Sequence, residues 1–291
     1  MRAGARTVNE HTAIRAAAGS TPLSRAPGCG KPPFVLRKFK VLGVEVTDLT
    51  MDEAVALLER LIVEQGDQTH SVYYVNTHTL NTAVENPEYL GVLQRGDVVF
   101  GDGTGVNWAT RMLHGARLQA NVNGTDMTPR FFAETAGKGY RYFMLGTRPE
   151  SIAKAAAFAE DNFPGWELAG AHHGYVQDPE ASAKVVEEIN AAKPHLLLVG
   201  MGNPLQESWI DRHKHRLKVP LCIGIGGLFD YWSGEIVRAP MWMRKVGHEW
   251  VHLLLLQPRK ARRYLLGNPM FLLRVAKERA MGALSPRRPG A

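Results

Sequence analysis

Asp102 lies inside Gly101-Asp102-Gly103-Thr104-Gly105. Glycines on both sides let the backbone turn sharply and come close to a ligand, so a carboxylate held between them can face a cleft. Its chemistry there would be that of a general base or of a contact to a ribose. The same stretch also reads locally as a turn aspartate. A second glycine-centred stretch, Gly200-Met201-Gly202-Asn203-Pro204-Leu205-Gln206-Glu207, opens a helix at Asn203-Pro204. The free N–H groups and dipole of a helix start suit phosphate. Gln206 and Glu207 fall in its first turn, where side chains can reach a ligand, although an acid there also simply complements the dipole. The third stretch is Gly224-Ile225-Gly226-Gly227-Leu228-Phe229-Asp230, followed by Gly234 and Arg238-Ala239-Pro240. Asp102 and Asp230 each follow a glycine break, and from the ends of two strands in one sheet they can converge on one cleft.

The end of the chain carries Arg259, Lys260, Arg262, Arg263 and Arg274 among Leu, Tyr and Phe. Guanidinium groups match phosphate oxygens two at a time, and the interleaved apolar residues suit an acyl boundary. A packing helix with a wet basic face has the same pattern. Other chemistries lack their residues. His172-His173 are adjacent, and His213 and His215 are two apart on a helix, so neither of these pairs has the i, i+4 spacing of a metal site. There is no Asp-x-Asp clamp and no G-x-S-x-G elbow. The spacing G-x-G-x-G is not a dinucleotide fingerprint, which weighs against an NAD-dependent oxidoreductase. No RNP-type, helix-turn-helix or zinc pattern supports a nucleic-acid-binding module.

Alternating strands and helices must position these residues. Thr50-Met51-Asp52-Glu53 reads as a capping box, after which Met51, Ala54, Val55, Leu58, Leu61 and Ile62 share a helical face. Ser71–Asn76 reads as a buried strand, with one helical pattern following through Leu93. Asp97–Phe100 and Tyr140–Gly146 are further strands, the latter followed by a helix over Pro149–Asn162. Asp178-Pro179 caps a helix with proline at its first position, and Asn203-Pro204 reads the same way. His195–Gly200 and Leu221–Gly226 complete the strands. The fold class is therefore α/β: a mostly parallel sheet with helices on both faces, whose ligands bind beyond the carboxyl ends of the strands. The chemistry-bearing residues fall at those ends.

Composition sets the outer bounds. With 45% hydrophobic and 22% charged residues, 291 residues can bury a large core. No run of about 18 apolar residues exists, so no helix is expected to span a bilayer; the greasy stretch Val251–Leu256 is interrupted by His252 and stopped by Pro258. Cys29 and Cys222 form no metal or disulfide framework and read as free thiols in a reducing cytoplasm. Residues 1–33, rich in Ala, Gly, Pro, Ser and Thr, read as a disordered leader without a secretory h-region. The α/β core is expected over 34–240 and a basic helical appendage over 241–291. Net charge is +7, yet Arg238 onward holds 12 Lys/Arg against 2 Asp/Glu, leaving the rest mildly acidic. Such a tail calls for an acidic partner: nucleic acid, anionic lipid or phosphates.

Taken in order, these segments resemble the WecG/TagA/CpsF family of bacterial glycosyltransferases. The matching stretches are Val75-Asn76-Thr77-His78-Thr79-Leu80-Asn81, Gly101-Asp102-Gly103, Gly124-Thr125-Asp126, Gly202 to Glu207, Gly224 to Asp230, Arg238-Ala239-Pro240, Glu249-Trp250 and Pro258 to Arg263. They cover roughly residues 40–280. The resemblance implies a Rossmann-like core whose C-terminal appendage completes the site at the membrane. It implies inverting, metal-independent transfer of a hexose or N-acetylhexosamine, without a cofactor. The donor would be a UDP-sugar and the acceptor an undecaprenyl-diphosphate-linked sugar, in surface polysaccharide or cell-wall polymer biosynthesis. The other expected partner is an anionic membrane surface and not nucleic acid, with homo-oligomerisation left open. The expected location is cytoplasmic, peripherally on the inner face of the cell membrane.

Carried over by residue, Asp102 corresponds to the catalytic base and Asn76 to an active-site asparagine. Asp126, Gln206 and Asp230 correspond to the nucleotide-sugar pocket. Thr77, Gly103, Gly202, Glu207, Gly227 and Arg238 fall in the substrate-binding motifs, and Arg259, Arg262 and Arg263 in the arginine-bearing appendage. Three positions depart from the family pattern. Tyr74 stands where Thr is usual, Gly101 where Ala is usual, and His252 lies near the place of an absent arginine.

Overall fold

The computed structural model describes residues 36–64, 68–237, 239–240, 243 and 265–284. The described chain runs β1 (Arg37–Val41), β2 (Val44–Asp48), α1 (Met51–Val63), β3 (His70–Val75), α2 (Thr77–Glu85), α3 (Pro87–Gln94), β4 (Val98–Gly101) and α4 (Thr104–His114). It continues through α5 (Gly124–Glu134), β5 (Arg141–Gly146), α6 (Pro149–Asn162), β6 (Glu167–His172), α7 (Pro179–Ala192) and β7 (Leu196–Gly200). α8 (Leu205–His213), β8 (Leu221–Gly224), α9 (Leu228–Trp232) and α10 (Gly267–Leu284) follow.

All eight strands form one sheet, in the order β1-β2-β4-β3-β8-β7-β5-β6. Only the β1–β2 hairpin is antiparallel; every other pairing is parallel. The central strands are mostly apolar and buried: β7 at all five positions and β5 at its last five. Both faces are covered, as the parallel part of the sheet requires. One core joins the sheet to α2, α3, α4, α7, α8 and α10, through Leu80, Tyr89, Val106, Val186, Ile210 and Phe271 among others. The other joins it to α1, α5, α6 and α9, through Leu58, Phe131, Ala155 and Phe229.

The chain therefore leaves β3 toward one face, through α2, and leaves β8 toward the other, through α9. Since β3 and β8 are neighbours, their carboxyl ends open a crevice at the reversal of strand order, where open α/β sheets bind ligands.

Local signals explain most of the elements. Thr50 Oγ1 accepts from the Glu53 N–H at 3.3 Å, and Glu53 Oε2 accepts from the Thr50 N–H at 2.8 Å, so the capping box starts α1. Asp178 caps α7 by accepting the Ala181 N–H at 2.9 Å. The helical pattern through Leu93 is in fact two helices. Asn86 caps α3 by accepting the Tyr89 N–H at 3.1 Å, and Pro87 at the first helical position cannot continue α2. Asn203-Pro204 does not act as Asp178-Pro179 does. The peptide bond is cis and Pro204 itself is the cap residue, while the Asn203 side chain turns to Glu207. His215 lies beyond the end of α8 rather than on it.

The β1–β2 hairpin, α4, α5, β6 and α9 are absent from the strands and helices expected from the sequence. Pro129 inside α5, and the glycines that open α4 and α5, read as breaks in a linear pattern.

Candidate active site

The carboxyl ends of β3, β4, β5, β7 and β8 surround one cavity of about 940 Å³, at the upper end of the range for small-molecule sites. Its far wall is α10, through Asn268, Phe271 and Leu272.

Asp102 enters this cavity from the end of β4. Its N–H donates to Val75 O at 2.8 Å, so the β3–β4 ladder runs up to the carboxylate. Gly103 has φ +91°, a conformation side chains rarely adopt, and its N–H donates to Asn121 Oδ1 at 2.6 Å. The loop bearing Asp102 is thus pinned on both sides. The departure at Gly101 has a packing reason: a Cβ there would stand 2.7 Å from Leu118 Cδ1.

Asn76 follows β3 and caps α2. Its Oδ1 accepts from the His78 N–H, the Thr79 N–H and the Thr79 hydroxyl, each at 3.1 Å. With the oxygen committed, the amide NH2 is the half left for a ligand. Thr77 lines the cavity beside it and donates to Asn268 Oδ1 at 2.9 Å, tying α2 to α10.

On the opposite wall Asp230, in the first turn of α9, accepts from the Thr147 hydroxyl at 3.2 Å. Thr147 is a β-branched residue at φ +49°, a conformation that costs on the order of 1–3 kcal/mol. It is held there because its N–H donates to Gly200 O and its carbonyl accepts from the Gly174 N–H, both at 2.9 Å. Gly202 and Gly227 also line the cavity.

Gln206 reaches the cavity wall, although it is 1% exposed. Its Oε1 accepts from the Gly226 N–H at 2.9 Å, so it braces the loop after β8. Its Nε2 donates to Glu207 Oε1 at 2.7 Å.

Two expected residues stand elsewhere. Glu207 is fully buried beneath the cavity, held by Asn203, Gln206 and the Tyr89 hydroxyl. Burial outweighs those hydrogen bonds and pushes its carboxyl up to about 7. A first-turn acid was expected to face a ligand, but here it turns inward to polar groups that lie far away in sequence. Asp126 is exposed and absent from the cavity wall. It completes the cap of α5, accepting from Asn123 Nδ2 at 2.8 Å while its N–H donates to Asn123 Oδ1 at 2.9 Å. Arg238, Arg259, Arg262 and Arg263 lie outside the described residues. Arg274, read as a phosphate candidate, is instead clamped to Asn81 O at 2.9 Å and Glu85 Oε1 at 2.6 Å.

The cavity also holds residues that sequence reasoning did not single out for the site: Asn121, Asn123, Thr147, Arg148 and Tyr231. Thr147 and Arg148 follow the strand ending at Gly146, and that strand-end position was their one signal. Arg148 is paired with Glu235 at the rim.

A mostly parallel α/β sheet with a large cavity at the strand reversal, walled by glycine turns and bearing carboxylates, defines an enzyme acting on a small molecule held across the strand ends. The chain belongs to the glycosyl transferase WecG/TagA/CpsF family, whose model matches residues 39–284, and it is a glycosyltransferase. It is 31% identical over 236 residues to an N-acetylglucosaminyldiphosphoundecaprenol N-acetyl-beta-D-mannosaminyltransferase of Bacillus spizizenii, covering 80% of this chain and 90% of that one. A protein of the same name from Bacillus subtilis is 32% identical over 204 residues, covering 70% and 78%. One from Staphylococcus aureus is 28% identical over 240 residues, covering 82% and 92%.

Proposed function

We propose that this chain transfers a hexose or N-acetylhexosamine from a UDP-sugar to an undecaprenyl-diphosphate-linked sugar, with inversion, in surface polysaccharide or cell-wall polymer biosynthesis. The observation that carries this reading is Asp102, presented by a pinned glycine turn to a cavity large enough for a nucleotide-sugar. The names of the relatives support the acceptor class, since each states a sugar on diphosphoundecaprenol.

In the reaction, an acceptor hydroxyl gives its proton to the Asp102 carboxylate as its oxygen attacks the anomeric carbon. The bond from that carbon to the diphosphate breaks on the opposite face, inverting the centre, and the electron pair leaves with UDP. Asn76 and Thr77 border the acceptor side. Gln206, Asp230 and the backbone at Gly103, Gly202 and Gly227 border the donor. Arg238, Arg259, Arg262 and Arg263 would stabilise the charge growing on the diphosphate. The appendage over 241–291, with its basic residues and the exposed Leu265, Leu266, Met270 and Leu273, would rest on the inner face of the membrane. Among the described residues no helix is long and apolar enough to cross one.

The test is a panel of UDP-N-acetylmannosamine, UDP-N-acetylglucosamine, UDP-glucose and UDP-galactose with a synthetic lipid-diphosphate N-acetylglucosamine acceptor, read by mass spectrometry. One donor should yield a disaccharide of inverted linkage. Asp102→Asn keeps the shape but cannot take a proton, so turnover should fall about 10²–10⁴-fold with UDP affinity unchanged. No product with any donor, or full turnover by the variant, would count against this reading.

A further inference from the structure

Glu207 does not line the cavity, yet it holds two side chains that do. It is 0% exposed. Its Oε1 accepts from the side-chain NH2 of both Asn203 and Gln206, the latter at 2.7 Å. Its Oε2 accepts from the Tyr89 hydroxyl of α3 at 3.1 Å. Asn203 and Gln206 both belong to the cavity wall. A primary amide has nearly the same shape either way round, so packing does not choose its orientation; hydrogen bonds do. The Gln206 amide is closely packed, since a Cβ on Gly224 would stand 3.0 Å from its Nε2. Within that space it can still turn over. As it stands, Nε2 meets the Glu207 carboxyl and Oε1 accepts from the Gly226 N–H at 2.9 Å. Turned over, the oxygen would face a carboxylate oxygen and the NH2 would face an N–H. Both bonds would be lost at once, in a place that water does not reach.

The orientation matters because of what it holds. Gly226, at φ +61°, and Gly227 form the turn after β8 and line the cavity. The Gly227 carbonyl accepts from the Asp230 N–H at 3.1 Å, which carries the turn into α9. The Gln206 amide is therefore the tie between α8 and the turn that leads to Asp230. Asn203 is set by the same carboxyl. With its NH2 committed to Glu207, its amide oxygen is the half left for a ligand. We propose that Glu207 is a positioning residue for the donor: by taking the NH2 groups of Asn203 and Gln206 it fixes which way both amides face. That holds the Gly226–Asp230 turn in place and leaves an acceptor oxygen at Asn203 for the nucleotide-sugar. The proposal rests on the reading of the cavity as a UDP-sugar site.

Glu207→Met keeps the length of the side chain and removes the acceptor, whereas Glu207→Gln keeps an acceptor oxygen. Calorimetry with UDP, and KM for the UDP-sugar and for the lipid-diphosphate acceptor, are measured on wild type and both variants. In the Met variant UDP affinity should fall about tenfold, the donor KM should rise with it, and the acceptor KM should stay within about twofold. The Gln variant should recover most of the affinity. Combined with Gln206→Ala, Glu207→Met should cost less than the product of the two separate losses, because one of the groups it positions is already gone. Should Glu207→Met not fold, Glu207→Asp takes its place: it keeps the charge, draws it one methylene back from the amides, and should show the same donor-specific loss. Unchanged UDP affinity in the variant that folds would overturn the proposal while leaving the cavity reading intact. Donor and acceptor KM rising together with a lower melting temperature would make Glu207 merely structural. Full additivity with Gln206→Ala would also overturn it. If wild type binds neither UDP nor any UDP-sugar, the reading of the cavity falls and the Glu207 assignment falls with it.

Discussion

At the scale of the residue, two acids with similar local surroundings have opposite fates. Asp102 follows a strand and precedes a glycine at φ +91°, and it reaches the cavity. Glu207 also follows a glycine-rich strand end, yet it is fully buried and raised to about 7. Because its folded pKa lies above its unfolded value near 4.5, the native state holds the proton more tightly. The associated stability is complete below about pH 4.5 and is lost as pH rises toward 7, at a cost on the order of 3 kcal/mol. Glu207→Gln resembles the protonated form, with an oxygen for Asn203 and Gln206 and a donor toward Tyr89. Thermal melts from pH 5 to pH 8 should fall for wild type across this window and stay flatter for the variant. Parallel curves would show that Glu207 remains ionised throughout.

At the scale of the element, α10 matters most, because it walls the cavity without belonging to the sheet. Phe271 and Val275 bury against the core shared with α2 and α4. Arg274 adds two hydrogen bonds to Asn81 and an ion pair to Glu85, and Asn81 Nδ2 donates back to Gly267 O at 2.7 Å. Bidentate guanidinium bonds are not reproduced by an ammonium. Arg274→Ala, and to a lesser degree Arg274→Lys, should loosen the helix by about 1–3 kcal/mol. Hydrogen exchange should rise in residues 265–284 while α2 and the sheet keep their protection, and transfer should drop with them. Unchanged exchange in α10 would show that its remaining contacts hold it without Arg274.

At the scale of the whole molecule, the charge is divided. The basic surplus begins at Arg238 and the preceding chain is mildly acidic, so the two parts meet an anionic bilayer differently. On α10 and just before it, the exposed Leu265, Leu266, Met270, Leu273 and Met281 add apolar contact area near that charge. The full chain should co-float with phosphatidylglycerol vesicles at low salt and be released as salt rises. Each basic residue at the surface contributes about 1 kcal/mol, which salt screens within a Debye length of about 3 Å at 1 M. Replacing Arg259, Arg262 and Arg263 by Gln should shift release to lower salt. Flotation that ignores both salt and these arginines would mean that charge does not guide the chain to lipid.

Much of this protein follows from local rules that a linear sequence carries. Thr50-Glu53 and Asp178-Pro179 start helices because capping needs only residues three apart. Apolar runs ending in glycine marked β4, β5, β7 and β8, and one ending at Asn76 marked β3, and with them the edge of the sheet where ligands bind. Asp102, Asn76, Thr77, Asp230 and the cavity-lining glycines were legible for that reason, with the family resemblance naming their roles. What stayed hidden depends on partners distant in sequence. Glu207 turns inward because Tyr89, 118 positions away, meets it from another helix. Arg274 is a clamp because Asn81 and Glu85 lie 193 and 189 positions back. The Tyr74 hydroxyl has no partner among the described residues because β4, α5 and the loop after β8 close around it. Direction and burial of a side chain are properties of the packed molecule, and only the tertiary structure decided them.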